Sequence, residues 1–281
     1  MKDPSKLTTR DGISKLVAKI HTTRNDVARF KLVQELCDGA DDARLTAIDA
    51  AFRQDRKRLP SYPFVLGVLL DGGVSRAKSV LAELVENADE AVAASALEVV
   101  GAKQLADGLL DIIVPMAAEG RLGLRRAAAI KALASSRTRK ATVALVELST
   151  QGRLPEAHRN IVFGGLALSD QPEAVSAMRR AFEDPGEHPV VRAYAAYGVA
   201  RAGDVRGLYA LRSNLELSAP GTVIQTVVQS VMALHELVAI PEKIGSGAVG
   251  AAGPALVRLQ KDWPQVVEAY EKRWPSRGSK S

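Results

Sequence analysis

The chain has 281 residues, of which 47% are hydrophobic, 25% charged and only 4% aromatic. This composition is typical of a folded protein whose core is built from Ala, Leu and Val. The net charge of +6 permits an acidic partner but does not demand one, because 32 acidic residues are interspersed among 38 basic ones.

The first part of the chain, residues 1–73, is predicted to form irregularly spaced helices. Helical spacing indicates a helix that includes residues 13–20, with Asp11 as a candidate N-cap, followed by helices at about 25–37 and 41–53. The two prolines in residues 54–63 exclude a continuous helix there. The apolar run 64–70 fits either a strand or a buried helix, and its helical neighbours favour a helix.

From Val74 the rhythm becomes regular, with a predicted helix every dozen or so residues. Glycines lie in or beside the turns, and prolines lie near the helix starts, where a missing N–H does least harm. Asp170 and Asp204 are placed as N-caps. The predicted helices are 74–86, 90–100, 104–117, 123–134, 139–149, 156–168, 172–182, 189–201, 205–217 and 221–238.

A period of 33 residues runs through this region. Its positions are Ala93, Arg126, Arg159, Arg192 and Gln225, and seven residues after each of them an apolar residue follows. A fixed period of 20 to 50 residues predicts a solenoid, in which each unit buries its apolar face against the next.

The stretch 170–215 resembles bacterial HEAT repeats of the kind also found in phycobilin-lyase-type proteins. The resemblance lies in the acidic turn Glu183-Asp184, the pair Val191-Arg192 with the small residues after it, and the turn Gly203-Asp204. It implies an all-α, right-handed α-solenoid of helical hairpins. In the family, an acidic residue before the Val-Arg helix pairs with the arginine, so Asp184 or Glu187 is expected to pair with Arg192.

We therefore expect residues 1–281 to form a single α-solenoid domain. Residues 1–73 are its irregular N-terminal helices, 74–238 its HEAT-like repeats, and 239–281 a loop rich in Gly and Ala followed by a capping helix at about 254–273. Pro264 is expected to split or kink that last helix. The chain begins without a signal peptide, has no apolar run of 18 residues and has one cysteine, Cys37, so we expect a cytoplasmic protein.

No pattern in the sequence indicates catalysis, a metal site or a cofactor. The glycines of residues 245–250 match G-x-G-x-x-G, but no strand is predicted before them, and a flexible connector is the better interpretation. The four histidines have no metal-ligand spacing on one helix. We expect a protein without enzymatic activity.

The basic residues of one repeat form a candidate anion-binding group. Charges of this kind are most often a solvated surface, and a nucleic-acid groove would show Lys and Arg aligned along the stack with aromatics for stacking. The group consists of Arg121, Arg125, Arg126, Arg137, Arg139 and Lys140.

The predicted function is a scaffold or adaptor that binds another protein on the concave face of the solenoid, because a stacked array offers an extended surface whose side chains vary without harming the core. Two alternatives stay open: a nucleic-acid-binding protein similar to the HEAT-like glycosylases that act on alkylated bases, and a chromophore lyase or chaperone. A homodimer also stays open. On the Val-Arg helices, Glu98, Lys131, Gly164, Tyr197 and Ser230 are expected to face outwards. The expected contact residues are Lys131, Asn160, Tyr194, Tyr197, Arg201, Gln225 and Gln229.

Overall fold

The computed structural model describes residues 9–119, 123–136, 138–151, 154–215, 224–237, 261 and 263–274, and over these residues the protein is all-α, as predicted. The chain divides into two compact units, Met1–Ser136 and Arg137–Ser281. A single domain over residues 1–281 stays a prediction.

The first unit contains eight described α-helices and two short 3-10 helices, which lie at Arg56–Ser61 and Ala106–Leu109. Thr9 is the N-cap of the first helix, since its hydroxyl accepts a hydrogen bond from the amide of Gly12 at 3.2 Å, so the assignment of this role to Asp11 was wrong. The α-helices are α1 Arg10–Thr22, α2 Asp26–Cys37, α3 Asp42–Arg53, α4 Tyr62–Asp71, α5 Ala77–Asn87, α6 Glu90–Ala102, α7 Leu110–Glu119 and α8 Leu124–Ser136.

Helix α4 settles the ambiguous apolar run in favour of a helix. Pro60 lies in the preceding 3-10 helix, and Pro63 lies in the first turn of α4, where its missing N–H costs nothing. Tyr62 is fully buried and stacks on Phe52 of α3, with 4.7 Å between the ring centroids. Helix α4 packs against α2, α5 and α6, and these three neighbours explain why apolar residues lie on several of its sides.

The second unit contains seven described α-helices. The predicted helix at 205–217 ends earlier, at Ser213, and residues 254–260 of the predicted last helix lie outside the described residues. The helices are α9 Arg139–Thr150, α10 Glu156–Ala167, α11 Pro172–Glu183, α12 Pro189–Arg201, α13 Val205–Ser213, α14 Ile224–Leu237 and α15 Trp263–Arg273.

Helix α12 is the centre of the second unit. It packs against α10, α11, α13 and α14, and nine of its thirteen residues are buried. Small residues make this possible: at Gly207 of α13, a Cβ atom would lie 2.3 Å from the carbonyl oxygen of Ala196. The string of Ala and Gly in α12 is thus the sequence signature of a helix surrounded by neighbours.

Of the two predicted aspartate N-caps in this unit, one is confirmed and one is wrong. Asp204 caps α13 by accepting a hydrogen bond from the amide of Arg206 at 3.0 Å. The residue before α11 is Gln171, whose amide donates to the hydroxyl of Ser169 at 3.3 Å. Asp170 is instead an ion-pair partner of Arg201, with 3.1 Å between the charged atoms.

Helix α15 is tied to the carboxyl ends of α12 and α14. The hydroxyl of Tyr270 donates to the carbonyl of Ala200 at 2.7 Å, and the guanidinium of Arg273 donates to the carbonyl of Glu236 at 2.6 Å. The indole of Trp274 donates to the carbonyl of Leu237 at 3.1 Å. Carbonyls at helix ends have few partners within their own helix, so these side chains supply them with additional donors. The carbonyl of Ala200 also accepts a hydrogen bond from the amide of Gly203 at 2.9 Å. Pro264 lies in the first turn of α15 and does not split its described part.

No helix in the described part of the chain combines the length and the apolar character needed to cross a membrane.

Candidate functional site

Three predicted contact residues lie on alternate helices of the second unit. Asn160 lies on α10, Tyr194 on α12 and Gln229 on α14, and α12 packs against both of its neighbours. Each of the three side chains is partly exposed. We call Asn160, Tyr194 and Gln229 the polar row.

The aromatic member of the row packs over a glycine. A Cβ atom at Gly164 of α10 would lie 3.4 Å from Cε1 of Tyr194, an ordinary van der Waals distance, so the tyrosine ring lies over α10 at this position. Burial raises the pKa of Tyr194 and keeps its hydroxyl protonated at neutral pH. One turn before Gly164, Oδ1 of Asn160 is buried and accepts no hydrogen bond from the described residues. The row therefore combines an aromatic ring, a hydroxyl and an unsatisfied acceptor.

Tyr197 does not belong to this surface, and its placement on an outward face was wrong. Only 6% of Tyr197 is exposed, and Ser230 on α14 is fully buried. Burial and the carboxylate of Glu236 raise the pKa of Tyr197. The error arose because a single column of the repeat was assumed to be outward on every helix, whereas α12 has neighbours on almost all sides.

Arg201 is committed to intramolecular contacts. Its guanidinium donates to the carbonyl of Ala167 at 3.1 Å and to Asp170 at 3.1 Å, and it lies over the rings of Tyr197 and Trp274 at 5.9 Å from each centroid. Only 15% of the Arg201 side chain is exposed. These contacts join the carboxyl ends of α10 and α12 to the residue that follows α15.

The predicted acid–arginine ladder is displaced by one unit. Glu187 forms its ion pair with Arg159 of α10 and not with Arg192. The amide of His188 donates to the second carboxylate oxygen of Glu187 at 2.9 Å. Asp184 accepts a hydrogen bond from the amide of Gly186 at 2.8 Å. Arg192 is exposed and has no ion pair among the described residues, so the expected pairing with Asp184 or Glu187 was wrong.

Three of the four described residues of the basic group are engaged in contacts within the protein. Arg125 donates to the carbonyl of Val85 at 2.6 Å, and Arg126 donates to that of Ala117 at 2.9 Å. Arg139, in the second unit, pairs with Glu173 at 2.6 Å. Lys131 and Lys140 are exposed. Arg121, Arg137 and the side chain of Gln225 lie outside the described residues.

The environment of Cys37 and the arrangement of the potential metal ligands bear on two kinds of chemical site. Burial raises the pKa of Cys37 to about 12, so this thiol is not a nucleophile at neutral pH. Among the described residues no group of His, Cys, Asp and Glu is arranged to hold a metal ion. The glycine motif of residues 245–250 lies outside the described ranges.

The sequence reasoning missed two exposed residues of α14. Met232 is 53% exposed, and Glu236 is exposed one turn further along the same helix. The 33-residue period gave no signal for this exposure, because it places Met232 in a column of apolar residues, and such a column predicts burial in the core.

Over the described residues the chain is all-α, and its second unit carries the polar row. No family model matches the chain, and no curated protein matches it. Among solved structures, human deoxyhypusine hydroxylase in complex with glycerol is similar at 14% identity and a TM-score of 0.33, over 95% of this chain and 99% of that one. An engineered protein is similar at 13% identity and a TM-score of 0.35, over 90% of this chain and 97% of that one. Likenesses this low carry no argument about function.

Proposed function

We propose that this protein is a non-catalytic scaffold, a right-handed α-solenoid of HEAT-like hairpins with a period of about 33 residues. It binds another protein on the face that carries the polar row. The alternation in which α12 packs against α10 and α14 supports the solenoid, because a helix of one hairpin then contacts its counterparts in the hairpins on either side.

The observation that carries the binding face is the half-buried Tyr194 of α12, whose ring lies over Gly164 of α10, the helix that also carries the partly exposed Asn160. Tyrosines with one buried side are enriched at protein interfaces, since they offer a large apolar area and a polar tip. Gln229 is partly exposed on α14, which packs against α12.

The test is affinity capture from a lysate of the source organism, treated with nuclease, with the wild-type chain as bait. A captured protein is then purified, and its dissociation constant is measured by calorimetry. Tyr194→Ser and, separately, Gln229→Ala are compared with Tyr209→Ser, a control at a tyrosine of α13 that is 47% exposed and outside the row.

We expect the row variants to bind the purified partner roughly tenfold more weakly and the control to bind it normally. Circular dichroism confirms that each variant is folded. Equal affinity for all four forms would contradict the proposed face. Capture that disappears with nuclease would favour the alternative of nucleic-acid binding.

A further inference from the structure

A groove of about 290 Å³ lies in the second unit, where α11, α12 and α13 meet. Its lining is mostly apolar, with three polar members. The apolar members are Phe182, Pro189, Ala196 and Ala210, and the polar members are Arg192, Ser213 and Asn214.

Two of the three polar members are already used within the protein. The hydroxyl of Ser213 donates to the carbonyl of Tyr209 at 3.1 Å, and the amide of Asn214 donates to the hydroxyl of Ser230 at 3.0 Å. Arg192 is exposed and forms no ion pair or side-chain hydrogen bond with the described residues. Among its described lining residues, the groove thus has one uncommitted charged group.

The position of Arg192 on its helix makes this charge unfavourable as it stands. Arg192 lies in the first turn of α12, where the helix dipole is positive and a cation is destabilised. The N-cap residue His188 gives no side-chain hydrogen bond to the first amides of the helix. Glu187, the nearest acid in sequence, is held by Arg159. An anion in the groove would therefore relieve both the guanidinium and the helix end.

We propose that this groove is a docking site for an acidic peptide segment of a partner protein, with a carboxylate on Arg192 and a neighbouring apolar side chain against Phe182 and Ala210. Charge complementarity with Arg192 is the reason for a carboxylate in the peptide, and the apolar lining is the reason for an apolar side chain beside it. A nucleic-acid strand fits less well, because its binding depends on several cations along the backbone, and the groove holds one.

This proposal does not rest on the scaffold function argued above. None of the groove's lining residues belongs to the polar row, so either site can fail without the other. Alanine at position 210 also offers a way to close the groove, because it is partly exposed and a leucine there extends into the lined space.

The test uses two immobilised libraries of short random peptides and the full chain. One library has a fixed Leu-x-Asp core, and the other has Asn in place of the Asp. The most strongly retained Asp peptide is then resynthesised with a fluorophore, and its dissociation constant is measured by anisotropy. The variants are Arg192→Glu and Ala210→Leu, and the matched control is Arg180→Glu on α11, an exposed arginine without an ion pair among the described residues and outside the groove.

We expect the chain to be retained on the Asp library only. Both groove variants are expected to bind the peptide at least roughly tenfold more weakly, because Arg192→Glu removes a charge-assisted contact and Ala210→Leu fills the apolar space. Arg180→Glu is expected to bind as the wild type does. Equal losses for Arg192→Glu and Arg180→Glu would reveal a general charge effect and overturn the site. Equal retention on the Asp and Asn libraries would overturn it as well. So would a labelled oligonucleotide that displaces the peptide because it binds the chain with higher affinity.

Discussion

At the scale of single residues, two helical glycines have opposite surroundings. A Cβ atom at Gly207 would lie 2.3 Å from the carbonyl oxygen of Ala196 and 2.7 Å from the amide of Ala200, both of them backbone atoms that have no freedom to rotate away. A Cβ atom at Gly164 would meet only the ring of Tyr194, at 3.4 Å. The first glycine is required by the approach of α13 to α12, and the second is not required in this way.

Gly207→Ala is therefore expected to destabilise the protein by about 1–3 kcal/mol, because α13 must move away from α12 to admit the methyl group. Gly164→Ala is the matched control, and we expect a change between zero and a gain of about 1 kcal/mol from helix propensity. Urea unfolding followed by circular dichroism measures both. A loss at Gly164 as large as that at Gly207 would mean that the close approach is not the cause.

At this scale, the sequence mispredicted the ion-pair partners and most of the caps, since Asp11 and Asp170 were wrong and only Asp204 was confirmed. Asp204 could be assigned from sequence, because an N-cap bond is local and spans two residues. The partner of Glu187 could not be assigned from sequence, because Arg159 is 28 residues away along the chain and nevertheless lies beside it. Which of two arginines receives one carboxylate depends on tertiary distances that a repeat pattern does not contain.

At the scale of helices, α15 is held by hydrogen bonds to carbonyls at the ends of α12 and α14. Tyr270 is 1% exposed, its hydroxyl donates to Ala200, and burial raises its pKa to about 12. Tyr270→Phe removes one hydroxyl without changing the ring. We expect it to cost about 0.5–1.5 kcal/mol, because the carbonyl of Ala200 loses this donor but keeps the hydrogen bond from the amide of Gly203 at 2.9 Å.

The control for this change is Tyr209→Phe on α13. Tyr209 is 47% exposed, so water takes the place of its hydroxyl when that group is removed. We expect the free energy of unfolding to change by less than about 0.5 kcal/mol. Thermal and urea unfolding of the two variants give the comparison. If Tyr270→Phe were as stable as Tyr209→Phe, the hydrogen bond to Ala200 would contribute nothing to holding α15.

Most described helices could be predicted because their boundaries are marked locally. Pro172 and Pro189 lie in the first turns of α11 and α12, and Asp204 precedes α13. The candidate site could be predicted only in part. Asn160 and Tyr194 lie where a surface residue was expected, whereas Tyr197 is buried, because the number of neighbours around α12 is set by the whole unit.

At the scale of the whole molecule, the net charge of +6 does not make the basic group a set of free cations. Of its four described members, Arg125, Arg126 and Arg139 are engaged within the protein, and Lys140 is exposed. Arg125 lies beside the last carbonyls of α5, with Val85 and Glu86 as acceptors at 2.6 and 2.9 Å. Arg126 does the same for α7, with Ala117 and Ala118 as acceptors at 2.9 and 3.1 Å. A guanidinium at a helix carboxyl end is also favoured by the helix dipole.

These contacts predict that Arg125→Ala and Arg126→Ala lower stability, by about 1–3 kcal/mol each, because two carbonyls lose a charged donor in each case. Lys131→Ala on α8 is the control, and its exposed side chain is expected to matter by less than about 0.5 kcal/mol. Urea unfolding measures the free energies, and anisotropy with a labelled DNA duplex at two salt concentrations measures nucleic-acid affinity. We expect no difference in DNA affinity between the folded arginine variants and the wild type. Unchanged stability together with weaker, less salt-dependent DNA binding would show instead that these arginines contact phosphate and that the basic group is an anion site.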